Sequence, residues 1–413
     1  MENNRIREEV LETIRYAVNN SPFYRTHFST ALLGELTHET FRQLPFTTKE
    51  DLSQHNRDFL CVPAEQVAEY VTTSGTSGKP VTLYLTKKDL QRLARNEKES
   101  FELTGAKAGD LFQLMTTIDK QFMAGLAYYL GVQELHAGMI RIGPGVPALQ
   151  WNSILENKPD ILIAVPSFLI TLIDYAKQNG IDVNQTSVRS AICIGEPIRE
   201  DDLSENVLAK RIHADWNIEL FSTYASTEMG AAFTECRAHR GGHLNEELIY
   251  LEVLDDDGKE VPHGEKGEII VTTLGTEGTP LIRYKTGDVA RVYRETCSCG
   301  RTSPRIGPIL GRKNQMIKFK GTTIFPPSIY EIFDSRSEVT CYKIEVAKDY
   351  LGHDTITILL ENRIEHAPVM EKIIEDCKAK LRVVPHFVFL EADYLRSQVF
   401  KNHMRKPEKI VFK

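Results

Sequence analysis

72-TTSGTSGKP-80 is a dense run of hydroxyl side chains and glycines closed by a lysine and a proline. Gly75 and Gly78 let the backbone approach a ligand closely, and neighbouring N–H groups can point into an anionic cradle. Ser74, Thr76 and Ser77 add hydroxyl donors, and Lys79 adds a mobile positive charge suited to phosphate. The run is not a Walker loop, which needs four residues between its glycine and Gly-Lys and a Ser or Thr after the lysine. Here only Thr76 and Ser77 intervene, and Pro80 follows. A flexible Ser/Gly linker is the bland alternative. The unbroken run between two strand-like stretches, Val67–Val71 and Val81–Leu85, argues instead for a loop held between strands.

Around that loop the chain alternates strand-like and helical patterns from about residue 67 to 200. Leu111–Met115 and Ile161–Val165 are short apolar runs of the kind buried on both faces of a sheet. This alternation predicts an α/β fold with layered sheets. Upstream, Ile6, Val10, Leu11, Ile14 and Val18 mark one helical face, stopped by Asn20–Pro22. Between 244 and 295 the texture turns to hairpins, with 250-YLEVL-254 and 268-EIIVTTL-274 as β-rich runs and 255-DDDGK-259 as a turn. The Gly/Pro/Arg-rich stretch 297-CSCGRTSPRIGPILGR-312 reads as a linker. Beyond it, strand-like runs at 342–346, 355–361 and 386–391 and a helix near 368–382 predict a small α+β domain.

A chain of 413 residues is too long for one ordinary core, and 41% apolar with 26% charged residues is globular composition. With a net charge of −7 and no basic block, neither nucleic acid nor a membrane surface is expected as a partner. No apolar run approaches the roughly 20 residues that cross a bilayer. The polar start MENNRIREEV and seven cysteines, an odd number, argue against a secreted disulfide framework, so a cytoplasmic location is expected.

Three further segments carry chemistry. In 222-STYASTEMG-230 a Tyr can stack on a purine, a Thr can bond a phosphate oxygen and a carboxylate can hold Mg²⁺. In 280-PLIRYKTGDVA-290, Asp288 follows a glycine turn and suits a pair of ribose hydroxyls; an Asx turn is the bland reading. The fourth segment, 311-GRKNQMIKFKGTTIFPPSIYE-331, opens the small domain.

In order and spacing these segments resemble the adenylate-forming superfamily, and more narrowly the phenylacetate–CoA ligase family. The narrower resemblance rests on 17-AVNNSPFYRTHF-28, 195-GEP-197, 235-EC-236, 297-CSCGRT-302 and 322-TTIFPPSIYE-331, which together span nearly the whole chain. It implies an N-terminal adenylate-forming domain over 1–311, with layered sheets, helices and a β-rich subdomain, and a mobile α+β lid over 312–413. It also implies ATP-dependent activation of a carboxylic acid, aryl or arylalkyl, to an acyl-adenylate, and transfer to the thiol of CoA or of a carrier protein's phosphopantetheine. Thr73, Ser74, Gly75, Thr76, Ser77, Gly78 and Lys79 would handle the β- and γ-phosphates. Tyr224 would stack on adenine, with Gly195, Glu196 and Pro197 on its other side and Thr223 near the exocyclic amine. Thr227 would touch the α-phosphate, Glu228 would hold Mg²⁺, and Asp288 would bind the ribose, helped by Arg312.

The chain departs from the family pattern at four places. Ala225 replaces a glycine after the tyrosine, which would narrow the floor of the acyl pocket. Asn314 and Gln315 occupy the hinge, and 121-QFMAGLAYY-129 replaces a Gly-rich aromatic stretch. The usual Gly-Lys of the adenylation step is missing. Lys406 in 405-RKPEKIVFK-413 best matches the family's Lys-x-x-Arg ending, with Lys409 in the arginine's place and Lys401 as competitor. The acyl pocket is expected among Phe122, Met123, Tyr128 and Phe168, although core packing explains each of these singly.

Cys236, His243, Cys297 and Cys299 make a Cys₃His set suited to a structural zinc ion, with His239 as a substitute for His243. Cys61, Cys193, Cys341 and Cys377 read as core residues. Two other functions compete with the thioester ligase: an adenylyltransferase that forms no thioester, and a silent nucleotide-binding regulator. The sequence does not fix the oligomeric state, and a homodimer is one expectation.

Overall fold

The computed structural model describes residues 7–28, 37–73, 81–319, 322–336, 338–350, 354–366, 368–400 and 408–413. The chain divides into two compact units, Met1–Ile309 and Leu310–Lys413. The first opens with helices α1 (Glu8–Asn20), α2 (Pro22–His27), α3 (His38–Gln43) and α4 (Lys49–Gln54). Helix α1 buries Val10, Leu11, Ile14 and Ala17 on the face its periodicity marks. Pro22 at the first turn and a Ser21 hydroxyl accepting from Tyr24 N start α2. Strands β1 (Glu69–Thr72) and β2 (Thr82–Leu85) pair antiparallel and bracket the 74–80 loop, which lies outside the described residues.

The main sheet is built from β3 (Leu111–Leu114), β4 (Gly138–Arg141), β5 (Ile161–Ala164), β6 (Ser190–Cys193), β7 (Glu219–Ser226), β8 (Ala231–Glu235), β9 (Gly242–His243), β10 (Ile249–Leu254), β11 (Lys266–Thr273), β12 (Tyr284–Tyr293) and β13 (Arg305–Ile306). Their spatial order is β10-β11-β12-β13-β9-β8-β7-β6-β5-β3-β4. From β4 to β7 the neighbours run parallel; from β7 onward they run antiparallel. Helices α5 (Lys87–Leu103), α6 (Met123–Glu134), α7 (Pro147–Asn157), α8 (Pro166–Gln178) and α9 (Val207–Asp215) complete the unit. Strands β5 and β6 are buried at every residue, as crossover helices on both faces require. The chain order changes direction at β3, which lies between β4 and β5, so ligand-binding loops are expected past the carboxyl ends of these strands.

The stretch 297–312, expected to be a linker, contributes the strand Arg305–Ile306 to this sheet. Arg305–Ile306 pairs with Val292–Tyr293 and with Gly242–His243. The Arg305 guanidinium is buried and donates to Arg240 O at 2.5 Å and Glu295 Oε1 at 2.6 Å. Composition misleads here because a buried arginine bonded to carbonyls and a carboxylate looks, in sequence, like a solvated one.

Arg283, just before the Asp288 segment, is fully buried and forms a two-point ion pair with Glu252, at 3.1 and 2.9 Å. It also donates to Arg42 O and Leu44 O, and its backbone sits at φ +46, a strained setting for a non-glycine residue. Burial raises the Glu252 pKa against the opposing pull of Arg283. Arg283→Met is therefore expected to lose about 3–5 kcal/mol, because it strands a buried carboxylate. Denaturant unfolding of the variant checks this, and a loss below about 1 kcal/mol would mean the pair is dispensable.

The second unit is α+β. Its sheet runs in the order His386–Leu390, Asp354–Glu361, Tyr342–Lys348, Ile410–Phe412, with an antiparallel centre and parallel flanks. Helices Pro326–Asp334, Val369–Asp376 and Ala392–Val399 belong to the same unit, and Ile317–Phe319 pairs antiparallel with Thr322–Ile324. Among the described residues no helix is long and apolar enough to cross a membrane.

Candidate active site

The candidate site gathers where β7 ends. Residues 222–226 belong to the strand itself, and only Thr227–Gly230 form the turn into β8. Alternation along β7 sends Tyr224 and Thr223 to opposite faces. The Thr223 hydroxyl meets Thr234 Oγ1 at 2.5 Å across the strand pair, so its side chain is not grouped with Tyr224. Ala225 is exposed beside it.

Asp288 comes from a different device. The β11–β12 register shifts between Glu268 and Ile270, which pair with Val289 and Lys285, so Thr286–Asp288 bulge opposite Ile269. Gly287 takes φ +75, and the Thr286 hydroxyl ties the bulge down by donating to Ile269 O and accepting from Asp288 N. Bulges re-aim side chains. This one turns the Asp288 carboxylate to accept a hydrogen bond from the Tyr224 hydroxyl at 2.7 Å. Burial first, then the Asp288 charge, push the Tyr224 phenol well above its ordinary pKa, keeping it a neutral donor. The Asx-turn alternative gives way to a residue inside a strand.

Glu228 lies in the turn, with the Tyr284 hydroxyl donating to its Oε1 at 3.4 Å and Lys49 Nζ at 3.8 Å. Lys49 was not singled out in the sequence. It reaches the site because the 47–49 segment lies along the start of β12: Thr47 N donates to Arg283 O and Lys285 N donates to Thr47 O. Thr48 then caps α4 in a reciprocal box with Asp51, which leaves Lys49 in the first turn. The capping box is a local spacing; a partner so distant in the chain leaves no such mark.

Gly195–Pro197 follow β6, whose last residue Cys193 pairs with Ser222 of β7. Gly195 adopts φ +75, and the Glu196 carboxylate accepts from Ser167 N and Oγ at 3.0 Å, capping the start of α8. Thr73 is buried and closes the base of the loop: Val81 N donates to its hydroxyl at 3.1 Å and its own N–H donates to Val81 O at 3.0 Å. Ser74, Gly75, Thr76, Ser77, Gly78 and Lys79 lie outside the described residues, as do Lys401 and Lys406. Arg312 stands in the second unit. Lys409 there holds Asp334 through both carboxylate oxygens, at 2.6 and 2.8 Å.

Of the expected acyl-pocket residues, Tyr128 and Met123 are buried core, Tyr128 packing near Phe101. Phe122 and Phe168 are half-buried.

Beyond β8, Cys236, His243, Cys297 and Cys299 bring one ligand atom each within 4.8 Å of the others. Cys236 Sγ lies 3.7 Å from Cys297 Sγ, and Cys299 Sγ lies 3.5 Å from His243 Nε2. Sulfurs bound tetrahedrally at about 2.3 Å stand about 3.8 Å apart, so the donor set fits zinc. His243 Nδ1 faces Ser303 Oγ at 3.2 Å, which leaves Nε2 for a metal. Burial, helped by Arg305 and Arg301, lowers the His243 pKa to about 4, keeping the ring neutral as ligation requires. His239 is engaged elsewhere: its Nδ1 meets Arg199 at 2.8 Å. Arg199 also forks onto Glu235, the neighbour of Cys236, and Glu235 accepts from Ser222 N at 3.0 Å. Burial opposes the Glu235 charge, but His239 and Arg199 outweigh it and lower the pKa. The cysteine cluster and β7 thus adjoin one buried ion pair. The other four cysteines are buried.

Tyr224 and Asp288 thus meet through one hydrogen bond, and Glu228 lies in the turn that follows the strand of Tyr224. Residues 25–276 match the family model described as AMP-binding enzyme. The chain is similar to a phenylacetate-coenzyme A ligase of Aromatoleum evansii, 31% identical over 86% of this chain and 80% of that protein. It is also similar to a phenylacetate-coenzyme A ligase of Thermus thermophilus, 30% identical over 83% of this chain and 77% of that protein. Its fold matches a crystal structure of a 2-hydroxyisobutyryl-CoA ligase in the postadenylation state with R3-HIB-AMP, with a TM-score of 0.79 at 21% identity over 98% of this chain and 88% of that one. The chain belongs to the phenylacetate–CoA ligase family of the adenylate-forming superfamily. It is an AMP-forming, ATP-dependent acid–thiol ligase.

Proposed function

We propose that the protein activates an aryl or arylalkyl carboxylic acid with ATP and passes the acyl group to coenzyme A. The observation that carries this reading is the hydrogen bond between Tyr224 and Asp288, 2.7 Å long, which joins the adenine and ribose positions of one nucleotide site. The tyrosine's hydroxyl fixes the carboxylate that accepts the ribose hydroxyls, while its ring offers a stacking face. Thr227 donates to the α-phosphate. Glu228 would hold Mg²⁺, which would supply charge neutralisation at the phosphates. The acid's carboxylate oxygen attacks the α-phosphorus and the bond to the bridging oxygen breaks, releasing pyrophosphate. The thiolate of CoA then attacks the acyl carbon, and AMP leaves.

The aryl preference draws on the phenylacetate named for the relatives and on the half-buried Phe122 and Phe168, which follow β3 and β5 along the chain. Cys236, His243, Cys297 and Cys299 hold a structural zinc ion with no open position. Lys406, by its match to the family's ending, is the adenylation lysine.

The test is ATP–pyrophosphate exchange over a panel of aryl and aliphatic acids, followed by CoA consumption. Exchange with aryl acids and matching thioester formation are expected. Exchange without thioester would mark an adenylyltransferase, and no exchange with any acid would sink the reading. Within it, Lys406→Ala is expected to lose adenylation yet still form thioester from supplied acyl-adenylate; that behaviour in Lys401→Ala instead would reassign the lysine.

A further inference from the structure

Helix α5 carries a buried cation that no step above uses. Arg92 is only 9% exposed, and all its hydrogen bonds go to backbone carbonyls of three separate segments. Its Nη1 donates to Gly230 O at 2.6 Å, Nη2 to Leu248 O at 2.6 Å and Nε to Leu274 O at 2.9 Å. Gly230 ends the turn that holds Thr227 and Glu228. Leu248 precedes β10 and Leu274 follows β11. The nearby acid, Asp89, is occupied elsewhere: it accepts from Thr86 N, Glu277 N and Gly278 N.

A small cavity lined by Leu83, Leu85, Arg92 and Thr279 lies against Thr227–Gly230, while Met229 is buried in the core. Within the turn, only Met229 N to Ser226 Oγ at 3.3 Å and Gly230 N to Ser226 O at 3.3 Å close the chain. Both bonds are long, whereas the bond from Arg92 is short and charge-assisted. The fit around it is close: Gly230 lies at φ +55, and a Cβ there would stand 3.2 Å from Arg92 Nη1.

We infer that Arg92 is a positioning residue for adenylation, clamping the Thr227–Gly230 turn from behind so that Glu228 is held ready for its metal. A guanidinium suits this task because its planar fork reaches three carbonyls in fixed directions, which an ammonium cannot do. Burial lowers the Arg92 pKa to about 10, so it remains charged at neutral pH. The inference rests on Glu228 as the Mg²⁺ ligand, and it predicts a defect confined to the half-reaction that uses that metal.

Arg92→Lys and, from the side of the turn, Gly230→Ala test this in the full chain. Acid-dependent ATP–pyrophosphate exchange is measured across Mg²⁺ concentrations, with thioester formation from supplied acyl-adenylate and CoA measured in parallel. Both variants are expected to lower exchange kcat at least tenfold and to raise the Mg²⁺ concentration for half-maximal rate several-fold. The KM for the acid and the thioester half-reaction should stay within about twofold, which also reports that the protein is folded. A purely structural role would lower both half-reactions in equal proportion, and that result, or an unchanged Mg²⁺ dependence in both variants, overturns the inference. Failure of the underlying reading looks different: the unaltered enzyme itself would show no Mg²⁺-dependent exchange.

Discussion

Glu228→Gln is expected to lower acid-dependent ATP–pyrophosphate exchange by about 10²- to 10³-fold, the range seen when one preorganised electrostatic group is removed from a transition state. The substitution keeps the shape and removes the charge. Tyr284, 3.4 Å from Oε1, can still donate to the amide oxygen, so the turn should keep its conformation. Lys49, 3.8 Å away, has its anionic partner replaced by a neutral one. What disappears is a site for a divalent cation, since a neutral amide oxygen binds Mg²⁺ far more weakly than a carboxylate. Raising Mg²⁺ should therefore recover only part of the rate, while the KM for the acid should hardly move. Thioester formation from a supplied acyl-adenylate involves no departing pyrophosphate and is expected to stay within a few-fold of the unaltered enzyme. Exchange retained within about threefold would show that Glu228 is not the metal ligand, because removing a transition-state charge contact cannot be that mild.

The two halves of the nucleotide site were not equally legible in the sequence. The apolar runs that become β3 and β5 were plain, because a parallel strand covered on both faces must be apolar throughout. Tyr224, Thr227, Glu228 and Asp288 were singled out through their order along the chain; Tyr224 and Asp288 meet through a hydrogen bond, and Thr227 and Glu228 share the turn that follows β7. How Asp288 is delivered was hidden. It depends on a bulge opposite Ile269, and a bulge is a property of two paired strands whereas sequence presents one. Thr223, which the resemblance puts near the exocyclic amine, has its hydroxyl against Thr234, because adjacent residues on a strand face opposite ways. Lys49 and Arg92 were invisible because their roles come from partners far along the chain, carbonyls in the case of Arg92, and no local spacing records them. The 297–312 stretch failed through composition: Gly, Pro and Arg mark linkers on average, yet here they surround a cysteine cluster and a buried Arg305 that need tight turns and close backbone approach.

The cysteine cluster carries the other large effect. Protein purified without chelator is expected to contain close to one zinc per chain, and Cys297→Ser is expected to lose it and to lower the first unfolding transition by roughly 5–10 °C, the shift that a few kcal/mol produces in a unit of this size. The magnitude follows from what the cluster joins. Cys236 follows β8, His243 lies in the two-residue strand β9, and Cys297 and Cys299 follow β12, so the four residues draw on three separate chain segments around the β8–β9–β13–β12 edge of the sheet. Structural zinc contributes its binding energy directly to folding, about 10–16 kcal/mol in isolated finger peptides, and a larger fold that holds much of this region already should show only a fraction of it. Cys297 is the informative ligand because it is buried 3.7 Å from Cys236, so serine there removes a thiolate without exposing a cavity. Loss of zinc should also reach the nucleotide site. Glu235 adjoins Cys236 and accepts from Ser222 N on β7, so a loosened β8 is expected to raise the KM for ATP more than it lowers kcat. Metal analysis and thermal unfolding decide the point independently of activity. A chain with no bound zinc after growth in zinc-supplemented medium, and a Tm indifferent to Cys297→Ser, would leave the four residues as a thiol-rich turn with no metal to hold.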